Sequence, residues 1–233
     1  MFEGLTYNIE YGRKLDEIFA WINGLPQTPS LLCFQEFPQD RIGDIPKLAK
    51  LPYGVRFAPS IKKNGGTWGE LTAFDQRLFN LVRTEIVDLG DNDFERKVRG
   101  FSAWRTTLIT DLESKAGDIT VVNAHLTWFA WNSRRLQQLS MVLNHMGNPE
   151  NALLVGDFNY PTGNDLDPNR LNKFMENNGG FKFAGPNTYT HIAWGIIRHR
   201  IDYVFAKGCR IGRVRVPRLG FSDHDPVLFQ IDI

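Results

Sequence analysis

Three short segments hold the side chains best suited to chemistry: Val155-Gly156-Asp157-Phe158-Asn159, Arg200-Ile201-Asp202-Tyr203-Val204-Phe205 and Phe221-Ser222-Asp223-His224-Asp225-Pro226. They bring one histidine, three carboxylates and one amide (His224, Asp157, Asp202, Asp223 and Asn159) to the ends of apolar strands. That inventory suits hydrolysis of a phosphate ester with the help of a hard metal ion. Gly156 lets backbone approach a ligand closely, and Asp157 and Asn159, two residues apart, offer an acceptor and an amide on one side. An aspartate inside the apolar Ile201–Phe205 run is costly unless paired, and a histidine is a natural partner, so Asp202 and His224 are expected to meet. Two more polar residues end apolar runs: Glu36 after Leu31-Leu32-Cys33-Phe34, and Asn8 after Leu5 and Tyr7. A solvated strand end or the start of a turn is the plain alternative for each.

The elements that must position these residues alternate between a period of two and one of 3.6. Strands are expected at Leu5–Asn8, Leu31–Phe34, Val55–Ser60, Thr67–Phe74, Thr106–Thr110, Ile119–His125, Leu153–Val155, Arg200–Phe205, Arg210–Val216 and Val227–Ile233. Asn64-Gly65-Gly66 is a strong turn signal between two of them. Leu15, Ile18, Phe19 and Ile22 mark a helical face closed by Gly24 and Pro26, and Leu136, Leu139, Leu143 and Met146 mark another. A short helix is expected at Ile42–Leu48. A further one opens at Asp167-Pro168, an N-cap with proline in the first turn, and runs to Gly179-Gly180. Strands outnumber helices and several are hairpin neighbours, which points to an α+β fold of two packed mixed sheets with helices outside.

A chain of 233 residues with 42% hydrophobic and 23% charged residues has room for one sizeable core, so residues 1–233 are read as a single domain. Lys plus Arg (27) nearly balances Asp plus Glu (26), so the net charge of +1 excludes a global field that would draw in a polyanion; any attraction is local. The start shows no basic flank followed by an apolar stretch, and no apolar run is long enough to span a bilayer, so membrane insertion is not expected and a cytoplasmic setting is. Cys33 and Cys209 stand far apart in apolar surroundings and read as free thiols.

Six segments, in order along almost the whole chain, carry a resemblance: Thr6-Tyr7-Asn8-Ile9, Phe34-Gln35-Glu36, Asn123-Ala124-His125-Leu126, Gly156-Asp157-Phe158-Asn159, Arg200-Ile201-Asp202-Tyr203 and Ser222-Asp223-His224-Asp225-Pro226. They resemble the endonuclease/exonuclease/phosphatase superfamily, the DNase I-like metal-dependent phosphoesterases. The resemblance implies a four-layered αββα sandwich with its site at one edge of the two sheets, and Mg²⁺ or Mn²⁺ as cofactor. By the same resemblance Glu36 is the principal metal ligand, with Asn8 and Asp223 completing the site directly or through water. It makes His224, oriented by Asp202, a general base or a phosphate-binding imidazolium, and has Asp157 and Asn159 position the attacking water. His125 is similar to the histidine of the DNase I, sphingomyelinase and inositol-phosphatase branches, and Glu70 stands where its carboxylate partner would come from.

The resemblance implies a phosphate-ester substrate, with nucleic acid foremost and a nuclease the concrete expectation; no protein partner is indicated. Arg198, Arg200, Arg213 and Arg215 form a basic cluster that would suit phosphates, and Trp128 and Trp131, in a loop after His125, would suit a base. A solvated sheet face and a loop packed on its own aromatics are the plain alternatives. Arg105 is expected to pack internally as a paired cation. No apolar hairpin like the one secreted sphingomyelinases set on membranes is seen. Two other functions stay open: a phosphatase or phosphodiesterase for a small or lipid-derived phosphate ester, and a catalytically silent phosphate-binding module.

Overall fold

Alternation along the strands builds two sheets, and the computed structural model describes them over residues 1–47, 51–90, 93–100, 102–161 and 169–233. The first sheet holds β1 (Phe2–Asn8), β2 (Leu31–Pro38), β3 (Tyr53–Lys63), β4 (Gly66–Asp75), β6 (Ser102–Ala103), β14 (Arg210–Arg215) and β15 (Val227–Asp232), in the order β14-β15-β1-β2-β4-β3-β6. The second holds β5 (Phe79–Gly90), β7 (Arg105–Ser114), β8 (Ile119–His125), β9 (Ala152–Asp157), β10 (Lys182–Gly185) and β13 (Asp202–Lys207), in the order β10-β13-β9-β8-β7-β5. A separate hairpin pairs β11 (His191–Ala193) with β12 (Ile197–His199). Four α-helices complete the described residues: α1 (Leu15–Gly24), α2 (Asp93–Arg99), α3 (Asn132–Met146) and α4 (Arg170–Gly179).

Three apolar layers follow from the two-residue period. On β2, Leu31 and Cys33 turn toward Val121, Leu153, Val155 and Val204 of the facing sheet, while Leu32 and Phe34 turn out onto α1 through Ile18, Phe19 and Ile22. On the far side Val122, Ala124 and Leu154 carry α3 and α4 through Leu139, Val142 and Met175. The result is the expected αββα sandwich. Both cysteines are free, Cys33 buried and Cys209 partly so.

The structure departs from the sequence reading in several elements, with α2, β6 and β10 absent from that reading. β5 was not anticipated, because at the sheet edge Val82 and Ile86 face solvent and blur the alternation. The expected helix near Ile42 is a 3₁₀ segment, Gln39–Lys47. The Asp167-Pro168 cap lies outside the described residues, although the helix it was to open is present as α4. An apolar hairpin does exist: β11–β12 exposes Trp194 (82%) and Ile196 (79%) at its tip, a feature hidden by strands of only three residues each.

One buried amide crosses between the sheets. Asn123 on β8 donates Nδ2 to the carbonyls of Phe34 and Leu71 at 3.0 Å each and accepts from Gln35 Nε2 at 2.7 Å. Those partners flank the bulge where β2 and β4 lose register between Phe34 and Phe37. Asn123→Ala removes three buried hydrogen bonds, two to the carbonyls of Phe34 and Leu71 and one from Gln35, whose Nε2 keeps Thr6 Oγ1 and Cys33 O as acceptors, so it is expected to lower stability by about 3 kcal/mol in urea unfolding. A loss below about 0.5 kcal/mol would show that the cross-sheet amide does not brace the bulge.

Candidate active site

Sheet register gathers most of the polar strand ends at one edge of the sandwich. β1 and β2 run parallel with Asn8 opposite Gln35, and β8 and β9 run parallel with His125 opposite Asp157. β13 runs antiparallel and starts with Asp202 opposite Asp157. His125, Asp157 and Asp202 therefore stand in a row across the second sheet. Asn8, from the first sheet, reaches over with Nδ2 3.1 Å from Asp157 Oδ2. Gly156 permits the row: a Cβ there would lie 2.0 Å from the carbonyl oxygen of Ala124.

Asp157 is the hub. Oδ1 accepts the Asn159 backbone N–H at 2.8 Å, and Oδ2 accepts the Asn159 amide at 3.2 Å as well as Asn8. Asn159 adopts φ +48°, a left-handed conformation that asparagine tolerates, and its amide also donates to Leu126 O at 3.0 Å. Burial raises the Asp157 pKa, partly offset by the charge on His224.

His224 comes from the loop before β15, where Ser222 Oγ donates to Asn8 O and accepts the His224 N–H. Its Nδ1 faces Asp202 at 2.9 Å, and Nε2 lies 3.6 Å from Asp157 Oδ2. Burial pushes its pKa down, but the Asp202 and Asp157 carboxylates outweigh that and lift it to about 10. The imidazolium is the favoured form at neutral pH.

Glu36 reaches the site through strain. Its φ of +57° falls at the β2 bulge, a backbone state that costs a non-glycine residue about 1–2 kcal/mol and turns the side chain out of its strand's alternation. Glu36 Oε1 lies 3.9 Å from His125 Nε2, which lies 3.5 Å from Asp157 Oδ2. Asn8, Glu36, His125, Asp157, Asn159, Asp223 and His224 all line one cavity of about 500 Å³.

The expected Glu70–His125 hydrogen bond is not made. Glu70 Oε1 stands 3.7 Å from His125 Nδ1, while Oε2 accepts from Thr106 Oγ1 at 2.8 Å. Complete burial pushes the Glu70 pKa up to about 8, so at neutral pH the carboxyl is mostly neutral and no longer a charge partner. Arg105 takes that place. Its Nη1 is 3.1 and 3.0 Å from the two ring nitrogens of His125, a position reached only above the ring face, and Nη2 meets Glu95 Oε1 at 2.5 Å. Arg105 is wholly buried, as a paired cation.

The arginine cluster does not converge on the cavity: Arg198, Arg200, Arg213 and Arg215 are absent from its lining. Arg215 pairs with Glu3 at 2.7 Å, Arg200 stacks on Phe183 and Tyr203, Arg198 lies over Tyr189, and Arg213 is exposed on β14. Sequence neighbourhood misled here, because sheet order carries β14 to the edge of the other sheet. Trp128 lines the cavity with Phe129 and Trp194, whereas Trp131 is 87% exposed and outside it. Two cavity residues went unnoticed in the sequence. Arg135 on α3 holds the Trp128 loop through the carbonyls of Thr127 and Trp128, and His191 on β11 lies 3.6 Å from Asp223 Oδ2. With His191 and His224 beside it, Asp223 is held at about 2 despite burial.

Because His224 titrates near 10 in the fold and near 6.5 when unfolded, its contribution to stability is full below about pH 6.5 and is lost as pH rises through 10. Asp202→Asn is expected to lower the His224 midpoint by about 1 to 3 pH units, read from imidazole resonances of metal-free protein, and to flatten that pH dependence. An unchanged midpoint would show that Asp202 does not set the charge.

Comparisons with known proteins agree with this geometry. The Endonuclease/Exonuclease/phosphatase family model matches residues 5–224. A UPF0294 protein of Vibrio vulnificus (strain YJ016) is 28% identical over 113 residues, which is 47% of this chain and 38% of the relative; the match thus spans little more than a third of that relative's length. Among solved structures, ANGEL2, a 2′,3′-cyclic phosphatase, superposes with a TM-score of 0.76 at 16% identity, covering 99% of this chain and 94% of ANGEL2. The human Nocturnin catalytic domain with bound sulfate gives 0.66 at 21% identity over 99% and 94%. With the family model matched from residue 5 to residue 224, the chain belongs to the Endonuclease/Exonuclease/phosphatase family.

Proposed function

We propose that this protein is a Mg²⁺- or Mn²⁺-dependent phosphodiesterase that acts on nucleic acid. The observation that carries the reading is the meeting of an imidazolium, His224, with the carboxylate–amide hub of Asp157 in the cavity that also receives the strained Glu36. Members of the family generally use divalent metal ions. The donor set fits a hard cation: Glu36 and Asp157 offer carboxylate oxygens, with Asp223 in the same cavity, and the Asn8 amide oxygen, which accepts the Glu10 N–H at 3.1 Å, has a second lone pair. Glu36 and Asn8 would hold the ion, with Asp223 completing the site directly or through water. Such an ion, when bound, offsets the negative charge that builds on the phosphoryl oxygens.

The residues divide the remaining work. Asp157, its basicity raised by burial and its orientation set by Asn159 and Asn8, takes a proton from the attacking water. His224 keeps its Nδ1 proton on Asp202 and turns Nε2–H toward a phosphoryl oxygen, acting as a charged donor rather than as a base. Arg105 over His125 adds positive charge behind the same wall. Trp128, Phe129 and Trp194 give flat apolar surface for a base.

A second reading, a phosphodiesterase or phosphatase for a small phosphate ester, draws support from the arginines. Arg198, Arg200 and Arg215 are engaged with protein partners, so these three supply no row of cations leading away from the cavity to follow a long backbone. ANGEL2, a 2′,3′-cyclic phosphatase, supports the same alternative by its fold.

Single-stranded DNA, duplex DNA, RNA, a 2′,3′-cyclic nucleotide and bis(p-nitrophenyl) phosphate, each offered with Mg²⁺ or Mn²⁺, separate the two. Cleavage of oligonucleotides is expected; turnover of the small esters alone selects the second reading. Glu36→Gln is expected to reduce metal affinity and turnover together, and His224→Ala to lower kcat about 10²- to 10³-fold with little change in KM. A His224→Ala enzyme as active as the parent, or binding without cleavage of any ester, overturns the proposal.

A further inference from the structure

His191 extends the polar site in a direction the family resemblance did not supply. Its strand is stitched to the His224 loop by an isolated bridge between residues 191 and 224, by Ile192 N–H to Asp223 O at 2.9 Å and by Asp225 N–H to Thr190 O at 2.6 Å. The His191 ring centroid lies 4.6 Å from that of His224, and Nε2 lies 3.6 Å from Asp223 Oδ2. Its Nδ1 is buried and has no hydrogen-bond partner among the described residues. One donor atom from each of His191, Asp223 and His224 falls within 4.8 Å of the others.

Two imidazoles and one carboxylate differ in kind from the oxygen-donor wall of Glu36 and Asn8. Mg²⁺ seeks oxygen and keeps its waters, whereas nitrogen-rich sets with one carboxylate suit Zn²⁺ and its neighbours. His224 is already oriented as such ligands are: its other nitrogen faces the Asp202 carboxylate, leaving Nε2 toward the cavity. Metal bonds of about 2 Å place ligand atoms about 3 to 4 Å apart, so side-chain rotations of about 1 Å close the cluster on an ion. The unpartnered nitrogen of His191 means that its ring breaks no hydrogen bond there in turning. Zn²⁺ at His224 Nε2 would take the place of the proton there, which goes to solvent.

We propose that His191, Asp223 and His224 form a Zn²⁺ site in the cavity, distinct from the Glu36–Asn8 pair but sharing Asp223 with it, and that its occupation inhibits hydrolysis by withdrawing His224 from the phosphate. The binding half stands on the cluster alone; the inhibitory half rests on the hydrolase reading above.

Calorimetric titration of Zn²⁺ into the full chain in saturating Mg²⁺, with Co²⁺ absorption as a probe of nitrogen ligation, tests the binding half. His191→Gln and Asp223→Asn, each checked for an unchanged thermal melt, are both expected to weaken Zn²⁺ at least about tenfold and to remove the intense visible Co²⁺ bands. Zn²⁺ is further expected to inhibit the Mg²⁺-supported parent, while His191→Gln, measured against its own Zn²⁺-free rate, needs at least about tenfold more Zn²⁺ for half inhibition. Equal Zn²⁺ affinity in the parent and the folded His191→Gln protein overturns the site. Parent and variant inhibited alike overturn its inhibitory role. Failure of the parent to cleave any ester counts against the hydrolase reading, and the calorimetry still decides the site.

Discussion

One carboxylate oxygen, Asp157 Oδ2, organises the active edge of this protein. It is buried, and an ionised oxygen withdrawn from water must be surrounded by donors or positive charge. Asn8 from the first sheet, Asn159 from its own turn, His125 from the neighbouring strand and His224 from the last loop all lie within 3.6 Å of it. Desolvation thus compels four distant segments into one place. The same desolvation makes Asp157 a stronger base, while the carboxylates of Asp202 and Asp157 outweigh burial at His224 and keep it charged, so the groups that assemble the edge also set its protonation.

Strain is the second requirement. Glu36 occupies a left-handed backbone state and Asn159 another, and both residues line the cavity. Such states persist where the surroundings over-determine them. At Glu36 the surroundings are the Asn123 amide, which grips β2 and β4 beside the bulge from the facing sheet, and Gln35 on β2, which donates to it. At Asn159 they are Asp157 Oδ1 and the carbonyl of Leu126. The Asn123 amide at one turn and the Asp157 and Leu126 acceptors at the other therefore hold the functional side chains out of ordinary alternation.

The elements that could be read from the chain were those whose signal is local. Leu31–Phe34 could only be a covered strand, and Ile18, Phe19 and Ile22 could only be one face of a helix; each of these packs as its period required. Asp157, Asp202 and His224 were legible because a polar residue inside or just beyond an apolar run needs a partner. β5 was hidden because an edge strand buries too little to show its alternation, and the β11–β12 hairpin because three residues carry no period. The arginines around Asp202 were misread for a related reason: residues close in sequence separate when β13 and β14 join different sheets.

By itself the chain determined the residue types at the active edge, their places at strand ends, the absence of any global charge to draw in a polyanion, and the layered α+β plan. These follow from side-chain chemistry and from periods of two and 3.6, which act over a few residues. The tertiary structure decided who meets whom. It put Arg105 rather than Glu70 against His125, because a fully desolvated carboxyl tends to neutrality even with the Thr106 and Ser60 hydroxyls beside it, while a guanidinium paired with Glu95 remains charged. It brought His191 to Asp223, more than thirty residues away, through a single bridge. Pairings of this kind depend on sheet order, register and local dielectric, which arise only once distant strands have packed.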